Sequence, residues 1–156
     1  MADIELLTTF NFHVVLSGSD IPVGDGGFQE VTGLEVEMDV AEYLEGGRND
    51  GLVQRVGRGK YSQRIVLKRG MFTADDTATN DLWKWFQDTV GGVRPVRRYD
   101  GTVDVLSGAG DIRATWRFRR SLPAKIVGPT LNARTGDIAI EELHLAHEGL
   151  FLEGTT

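Results

Sequence analysis

The sequence predicts a mostly β fold, a β-sandwich or barrel-like arrangement of antiparallel sheets with one packed α-helix. Apolar and polar residues alternate in several short segments, which is the period of half-buried strands. Glycine-rich turns separate these segments. Apolar residues recur at helical spacing in one stretch, residues 75–90. A chain of 156 residues is expected to form a single domain, residues 1–156, that buries about two thirds of its unfolded surface.

Composition excludes several classes of protein. The chain has no cysteine, which excludes disulfides, thiolate metal sites and cysteine nucleophiles. It has no apolar stretch near the roughly 18 residues of a membrane span, and no basic segment followed by an apolar run at its start. We therefore expect a soluble protein made in the cytoplasm, with no membrane anchoring. The formal net charge of -6 argues against a dedicated nucleic-acid binder.

Charge is distributed in blocks along the chain. Residues 1–45 contain ten acidic side chains and no Lys or Arg, whereas residues 46–70 contain seven basic side chains and one acidic. One interpretation is that acidic and basic strands pair across a sheet. The other is self-association, in which an acidic surface of one copy meets a basic surface of the next.

The N-terminal part of the chain predicts an arm, a strand and a long turn. Residues 1–9 have little pattern and are expected to form a flexible arm. From Phe10 to Leu16 apolar residues alternate with other types, which predicts a half-buried strand. Residues 18–27 consist of turn-forming types throughout.

A second strand is predicted to carry a row of carboxylates on its exposed face. Its apolar residues are Leu34, Val36, Met38 and Val40, and the acidic residues between them are Glu35, Glu37 and Asp39. Carboxylates about 7 Å apart along one strand face are too distant to share one proton or one metal easily. We expect the row to be solvated or neutralised by Arg64 and Lys68 of the next strand, which runs from Tyr61.

Residues 45–60 are rich in glycine and basic side chains and show no periodic core. This composition predicts an extended loop that is either mobile or works at an interface. The segment resembles a phosphate-binding loop in part, but Gln54 stands where a glycine is required, and Tyr61 follows Lys60 where Ser or Thr should hold magnesium. We therefore predict no nucleotide site in this segment.

The helix predicted at residues 75–90 has one apolar face, which must pack on a sheet or plug the open end of a barrel. This face comprises Ala78, Leu82, Trp85, Phe86 and Val90. The start is marked by Thr73 and early carboxylates at positions 75 and 76, and the end by Gly91 and Gly92. No chemistry is expected on this helix.

The remainder of the chain predicts further strands. Residues 102–106 and 114–119 read as strands joined by a turn at 107–111, and in the second strand the aromatics point away from the arginines. Pro123 to Pro129 reads as an edge or terminating strand. In the last segment the alternation slips across Glu141 and Glu142, which predicts a bulge or a strand covered on both faces.

No constellation of catalytic or metal-binding residues is apparent. His144 and His147 are three residues apart in a predicted strand, so they are expected to point to opposite sides. His13 is distant in sequence, and no serine lies in a nucleophile-elbow pattern. We therefore predict that the protein is not an enzyme and holds no metal.

Four stretches in order resemble the tail-tube protein family of contractile phage tails and related contractile injection systems. They are GFQEVTGLEVEMDVAEYLEGG from Gly26, KYSQRIVLKRG from Lys60, the DLWKWFQDTV helix, and AIEELHLAHEGL from Ala139. The resemblance implies a tail-tube-like fold that assembles as homohexameric rings, which stack into a hollow inner tube. It also implies no catalysis and no cofactor.

The resemblance also implies positions for the contacts between copies. The early loop, residues 45–60, would reach the adjacent ring. Its candidate contact residues are Glu45, Arg48, Asp50, Arg55, Arg58 and Lys60. The acidic strand residues Glu35, Glu37 and Asp39 would face either the lumen or a partner. Leu82, Trp85 and Phe86 would pack the helix.

The implied partners are a contractile sheath protein, baseplate and tube-terminating proteins, and a cargo of DNA or protein effector in the lumen. Such a tube would be assembled in the cytoplasm as part of a virion or a phage tail-like particle, including extracellular ones. A type VI secretion tube protein shares the implied fold. A monomeric β-sandwich binding module would instead stay monomeric in light scattering. A hydrolase would need a convergent nucleophile and base, which the sequence does not show.

Overall fold

The computed structural model describes residues 6–8, 11–17, 28–43, 53–61, 64–70 and 77–153. Within these ranges the chain is mostly antiparallel β-sheet with a single helix, which confirms the predicted fold class. The elements in chain order are β1 (Phe12–Ser17), β2 (Phe28–Thr32), β3 (Glu37–Tyr43), β4 (Val53–Lys60), β5 (Ile65–Gly70), α1 (Thr77–Val90), β6 (Tyr99–Leu106), β7 (Ile112–Val127), β8 (Ile140–Ala146) and β9 (Gly149–Leu152).

The main sheet has the strand order β1-β6-β7-β8-β5-β2, and β9 also pairs with β7. The 16-residue strand β7 belongs to two layers. Its first part, residues 112–121, pairs with β6 and β9, and these strands together with β1 form layer A. Its second part, residues 122–127, pairs with β8, and these strands together with β5 and β2 form layer B. One core of buried side chains lies between the two layers.

Alternating burial shows how β5 and β8 face the core. Ile65 and Leu67 on β5 are directly opposite Leu145 and Leu143 on β8, and all four side chains are fully buried. Burial of each such side chain contributes about 1.5–3 kcal/mol. The intervening residues point away from the core, so layer B has one apolar face and one polar face.

The predicted slip across Glu141 and Glu142 is wrong. Glu141 continues the buried row of Leu143 and Leu145, and in the register it is opposite the equally buried Arg69 of β5. The Arg69 Nε atom lies 2.6 Å from Oε1 of Glu141, and the Trp83 indole N–H donates to Oε2 at 2.9 Å. A carboxylate can occupy a core position here because these donors compensate the loss of its hydration.

Helix α1 packs on the core through Leu82, Trp85 and Phe86, all of which are buried. The Trp85 indole N–H donates to the carbonyl of Arg97 at 2.9 Å, and its ring meets Tyr99 edge-on at 4.6 Å between centroids. Val90 does not belong to the packed face as predicted, because it lies at the C-terminal end of the helix and is 87% exposed. The predicted start signals at positions 73, 75 and 76 lie outside the described residues.

The helix ends at the predicted glycines. Gly92 has a φ of 91°, a left-handed conformation that favours glycine. Its N–H donates to the carbonyl of Thr89 at 3.3 Å, and the N–H of Val93 donates to the carbonyl of Asp88 at 3.0 Å. These two bonds satisfy carbonyls that the helix itself leaves open, which is the Schellman arrangement.

The β6–β7 hairpin forms where alternation predicts it, with a turn closed by a bond from the Ser107 N–H to the Asp111 carbonyl. Gly101 is opposite Phe118 in the register, and a Cβ atom at Gly101 would lie 2.0 Å from the Phe118 ring. Only glycine therefore fits at position 101. Phe118 is buried while Arg117 and Arg119 are exposed, as the alternation of this strand predicts.

The segment from Pro123 is an edge strand as predicted, and it continues β7 instead of forming a strand of its own. The register shifts between Pro123 and Lys125, and this irregularity accommodates a residue that lacks an N–H. Residues 122–127 pair with β8 on one side, and no strand in the described part of the chain pairs with their other side. This half of β7 is therefore an edge of layer B.

Candidate assembly surfaces

Strands β3 and β4 form a separate two-stranded antiparallel sheet, the β3–β4 hairpin. Every side chain of the hairpin whose burial is described is exposed. The prediction of a loop over residues 45–60 is therefore wrong for residues 53–60, which form β4 despite two glycines because β3 supplies a hydrogen-bonded partner. Arg55, Arg58 and Lys60 lie on this strand, whereas residues 45, 48 and 50 lie outside the described residues.

One face of the hairpin carries Glu37 and Asp39 of the predicted acidic row and their counter-charge, whereas Glu35 precedes β3, which begins at Glu37. The Lys60 Nζ atom lies 2.7 Å from Oδ1 of Asp39 and 3.8 Å from Oε1 of Glu37. The hydrogen bond to Asp39, together with its charge, raises the pKa of Lys60 above its ordinary value. The expectation that Lys68 neutralises this row is wrong, because β5 pairs with β2 and β8 rather than with β3.

The other face of the hairpin is apolar in the half nearer its base and exposed in the single chain, and beyond this half Glu42 lies opposite Gln54. It carries Met38, Val40 and Val56, and Val40 is directly opposite Val56 in the register. Val36, just before β3, is also exposed. A contiguous apolar surface of this kind marks an interaction site more often than isolated exposed residues do.

The root of the hairpin is fixed by close contacts. Gly33 has a φ of 91°, and a Cβ atom there would lie 1.9 Å from the carbonyl oxygen of Arg64. Where the chain returns, the Tyr61 ring lies 5.1 Å from the His147 ring between centroids. Burial lowers the pKa of His147 below its ordinary value. The neutral imidazole therefore serves as a packing group between Tyr61 and Phe118.

Layer B has a polar face with a line of ion pairs across its strands, which we call the ion row. Lys68 Nζ lies 3.4 Å from Glu30 Oε2 and 3.2 Å from Glu142 Oε1, and His144 Nε2 lies 3.3 Å from Glu142 Oε2. The hydrogen bonds from His144 and Lys68 lower the pKa of Glu142, and those to Glu142 and Glu30 raise the pKa of Lys68. Sequence reasoning missed the ion row, although Glu142 and His144 alternate with the buried Leu143 and Leu145.

The described residues offer no arrangement for metal chemistry, since no three of their His, Cys, Asp or Glu side chains cluster as a metal site would require. No helix in the described part of the chain is long and apolar enough to cross a membrane. The exposed hairpin and the open edges of layer B are two surfaces where other copies could bind.

The chain matches the protein family described as T4-like virus tail tube protein gp19 over residues 8–151. A search of curated proteins found no match.

Solved structures resemble the fold closely. A chain of an extracellular contractile injection system, the PVC sheath-tube complex in its extended state, has a TM-score of 0.76 at 23% identity, covering 95% of this chain and 91% of that one. A chain of the anti-feeding prophage baseplate has a TM-score of 0.77 at 20% identity, covering 100% and 99%. A type six secretion system protein has a TM-score of 0.53 at 9% identity, covering 92% and 83%. At these identities the likeness shows the fold.

Proposed function

The chain belongs to the T4-like virus tail tube protein gp19 family, and from this premise we propose that its copies form homohexameric rings that stack into the hollow inner tube of a contractile apparatus. As a tail tube protein it is a structural component of a virion or phage tail-like particle. We propose further that residues 1–156 act as one domain with residues 1–9 as an arm, and that the tube is assembled in the cytoplasm.

The two edges of layer B support ring formation. Among the described residues, β2 pairs only with β5, and residues 122–127 of β7 pair only with β8. Open ladder edges present N–H and C=O groups that another chain can pair with. Because the two edges differ, each copy offers two different patches, which is what a ring closed by rotation requires.

If rings close through these edges, one face of layer B becomes the wall of the channel. The core covers the apolar face, so the wall would be the face that carries the ion row. Lys68 pairs with both Glu30 and Glu142, and two carboxylates with one ammonium leave a net charge of -1 per copy, so the wall would not attract DNA. Of the two roles open to Glu35, Glu37 and Asp39, we propose the partner-facing one, because Glu37 and Asp39 lie on the hairpin, outside layer B.

The β3–β4 hairpin supports stacking. It is exposed on both faces and carries Arg55, Arg58 and Lys60 on one strand. We propose that these residues contact the adjacent ring, together with Glu45, Arg48 and Asp50. The tube would be surrounded by a sheath protein and would end on baseplate and terminating proteins. The solved structures that share this fold come from a sheath-tube complex and a baseplate.

The observation that carries this proposal is the family match over nearly the whole chain. The test is negative-stain microscopy of the purified protein and of the Arg55→Glu/Arg58→Glu double variant. We expect rings and tubes from the unaltered protein. The double variant should form rings but few tubes, because reversed charges would face the partner surface of the next ring.

Arg113→Glu is the matched control, since Arg113 is an exposed arginine on layer A. Circular dichroism should show that all variants remain folded. Persistent long tubes from the double variant would remove the hairpin from the stacking contact. A monomer at high protein concentration, with no annular objects, would contradict the tube itself and favour a monomeric binding module.

A further inference from the structure

The two ends of layer B carry different structures. At one end lie Thr32 and Ile65, where the chain leaves for the hairpin and returns from it. At the opposite end lie Gly70 and Ile140, which are paired with each other, and Val127. Residues 128–139 connect β7 to β8 at this second end. We call residues 128–139 the end loop.

The end loop displays apolar side chains to solvent. Leu131 is 85% exposed and Ile138 is 79% exposed. Leu131 also lines a cleft of about 250 Å³, together with Asp137 and Ala139. The loop is shaped by a turn at Asn132, whose Oδ1 accepts the Arg134 N–H at 2.9 Å. Two exposed apolar side chains on a loop whose turn is held by hydrogen bonds fit a docking surface.

The hairpin is long enough to contact such a surface on another copy. Seven residues of β3 span about 20 Å, which is similar to the length of a strand in layer B. Its apolar face of Met38, Val40 and Val56 matches the apolar end loop in character.

We propose that the apolar face of the hairpin in one copy docks on the end loop of a second copy in the adjacent ring. This inference rests on the proposed function and adds the identity of the receiving surface. The donor and receiver surfaces lie at opposite ends of the same subunit. The contact is therefore heterologous and does not close on itself along the axis, so it adds ring after ring.

The absence of cysteine allows a direct test by cross-linking. Val40→Cys subunits and mass-tagged Ile138→Cys subunits are mixed, assembled and treated with a short bis-maleimide. We expect a mixed dimer that neither variant forms alone. Ala109→Cys, at the exposed β6–β7 turn, is the matched control in place of Ile138→Cys. Gln87→Cys, beside the apolar cleft between α1 and β7, tests that cleft as an alternative receiver.

Each cross-linking result either supports or refutes the end loop as the receiving surface. If tubes form but Val40→Cys links to Ile138→Cys no better than to Ala109→Cys, the end loop is not the receiver. The proposal of a tube would not be affected by that result. Preferential linking to Gln87→Cys would also overturn it and would assign the helix cleft. Failure of the unaltered protein to form rings or tubes would refute both the proposed function and this inference.

A second variant gives an independent measurement. Ile138→Asp should fold normally, because the side chain is largely exposed in the single chain. It should raise the protein concentration needed for tube growth about tenfold or more, since a carboxylate would be buried against an apolar face. Ala109→Asp is the control and should leave tube growth unchanged. Equal growth of both variants would contradict the proposed contact.

Discussion

Removal of the Glu141 carboxylate is expected to destabilise the subunit strongly. Both Arg69 and Glu141 have fully buried side chains, with 2.6 Å between Nε and Oε1. In Glu141→Ala the guanidinium would lose this partner while still buried, which costs about 3–5 kcal/mol. The Trp83 indole N–H would lose its acceptor as well. For a chain of this size the loss corresponds to a fall in Tm of about 9–15 °C.

The measurement is urea and thermal unfolding followed by tryptophan fluorescence, with all variants at one subunit concentration because assembly shifts apparent stability. Glu148→Ala is the matched control. Glu148 forms ion pairs with Arg98 and Arg120, but its side chain is 51% exposed. Its removal should cost no more than about 1 kcal/mol.

A double variant separates charge from packing. Arg69→Met/Glu141→Leu replaces both buried charges by apolar groups of similar length, so it should recover most of the stability that Glu141→Ala loses. The reasoning is refuted if Glu141→Ala costs less than about 1 kcal/mol, as a surface pair would. It is also refuted if the double variant is as unstable as the single one, because the loss would then come from shape alone.

Two further substitutions test other features. Burial lowers the pKa of His147 below 6.5, so the unfolded chain binds more protons and stability should fall as pH drops from about 6.5 towards the folded pKa. His147→Phe should remove this part of the pH dependence in unfolding titrations, and an unchanged slope would contradict it. Gly92→Ala places a Cβ at a φ of 91° and should cost about 1–2 kcal/mol in thermal unfolding. Gly136→Ala is the control and should cost much less, because Gly136 is not in the left-handed region and a Cβ there would meet no other atom within 4 Å.

Local pattern was sufficient to predict several elements. The end of α1 follows from two consecutive glycines, because the left-handed position needs a residue without Cβ. The alternation around Phe118 predicted both the strand and which of its faces is buried. These features depend on residues close together in sequence, so a single chain can reveal them.

Pairing between distant segments was not predictable in the same way. Residues 53–60 look like a loop because Gly57 and Gly59 have low strand preference, and only the partner β3 makes them a strand. Glu141 looked like a break in the pattern because its compensating Arg69 is 72 residues away. Both errors have one cause, since the register between strands is set by tertiary packing.

The two exposed apolar surfaces were missed for a related reason. The alternation of Val36, Met38 and Val40 predicts an apolar face but not what covers it. Likewise, Leu131 lies in a segment without periodic pattern, so nothing local marks it for an interface. Sequence resemblance supplied the expectation of an assembly, and the structure supplies the surfaces that such an assembly can use.

The number of strands in layer B has a consequence for any ring built from it. Neighbouring strands run in opposite directions, so the first and last of four point opposite ways. A rotation about an axis along the strands preserves direction, and each junction would therefore bring together two strands of opposite sense. With three or five strands, the two strands that meet at each junction would be parallel, with slanted hydrogen bonds. With four strands, the junction between copies would have the same antiparallel hydrogen bonding as the strands inside each subunit. The backbone ladder would then continue from one copy to the next without a change of pattern.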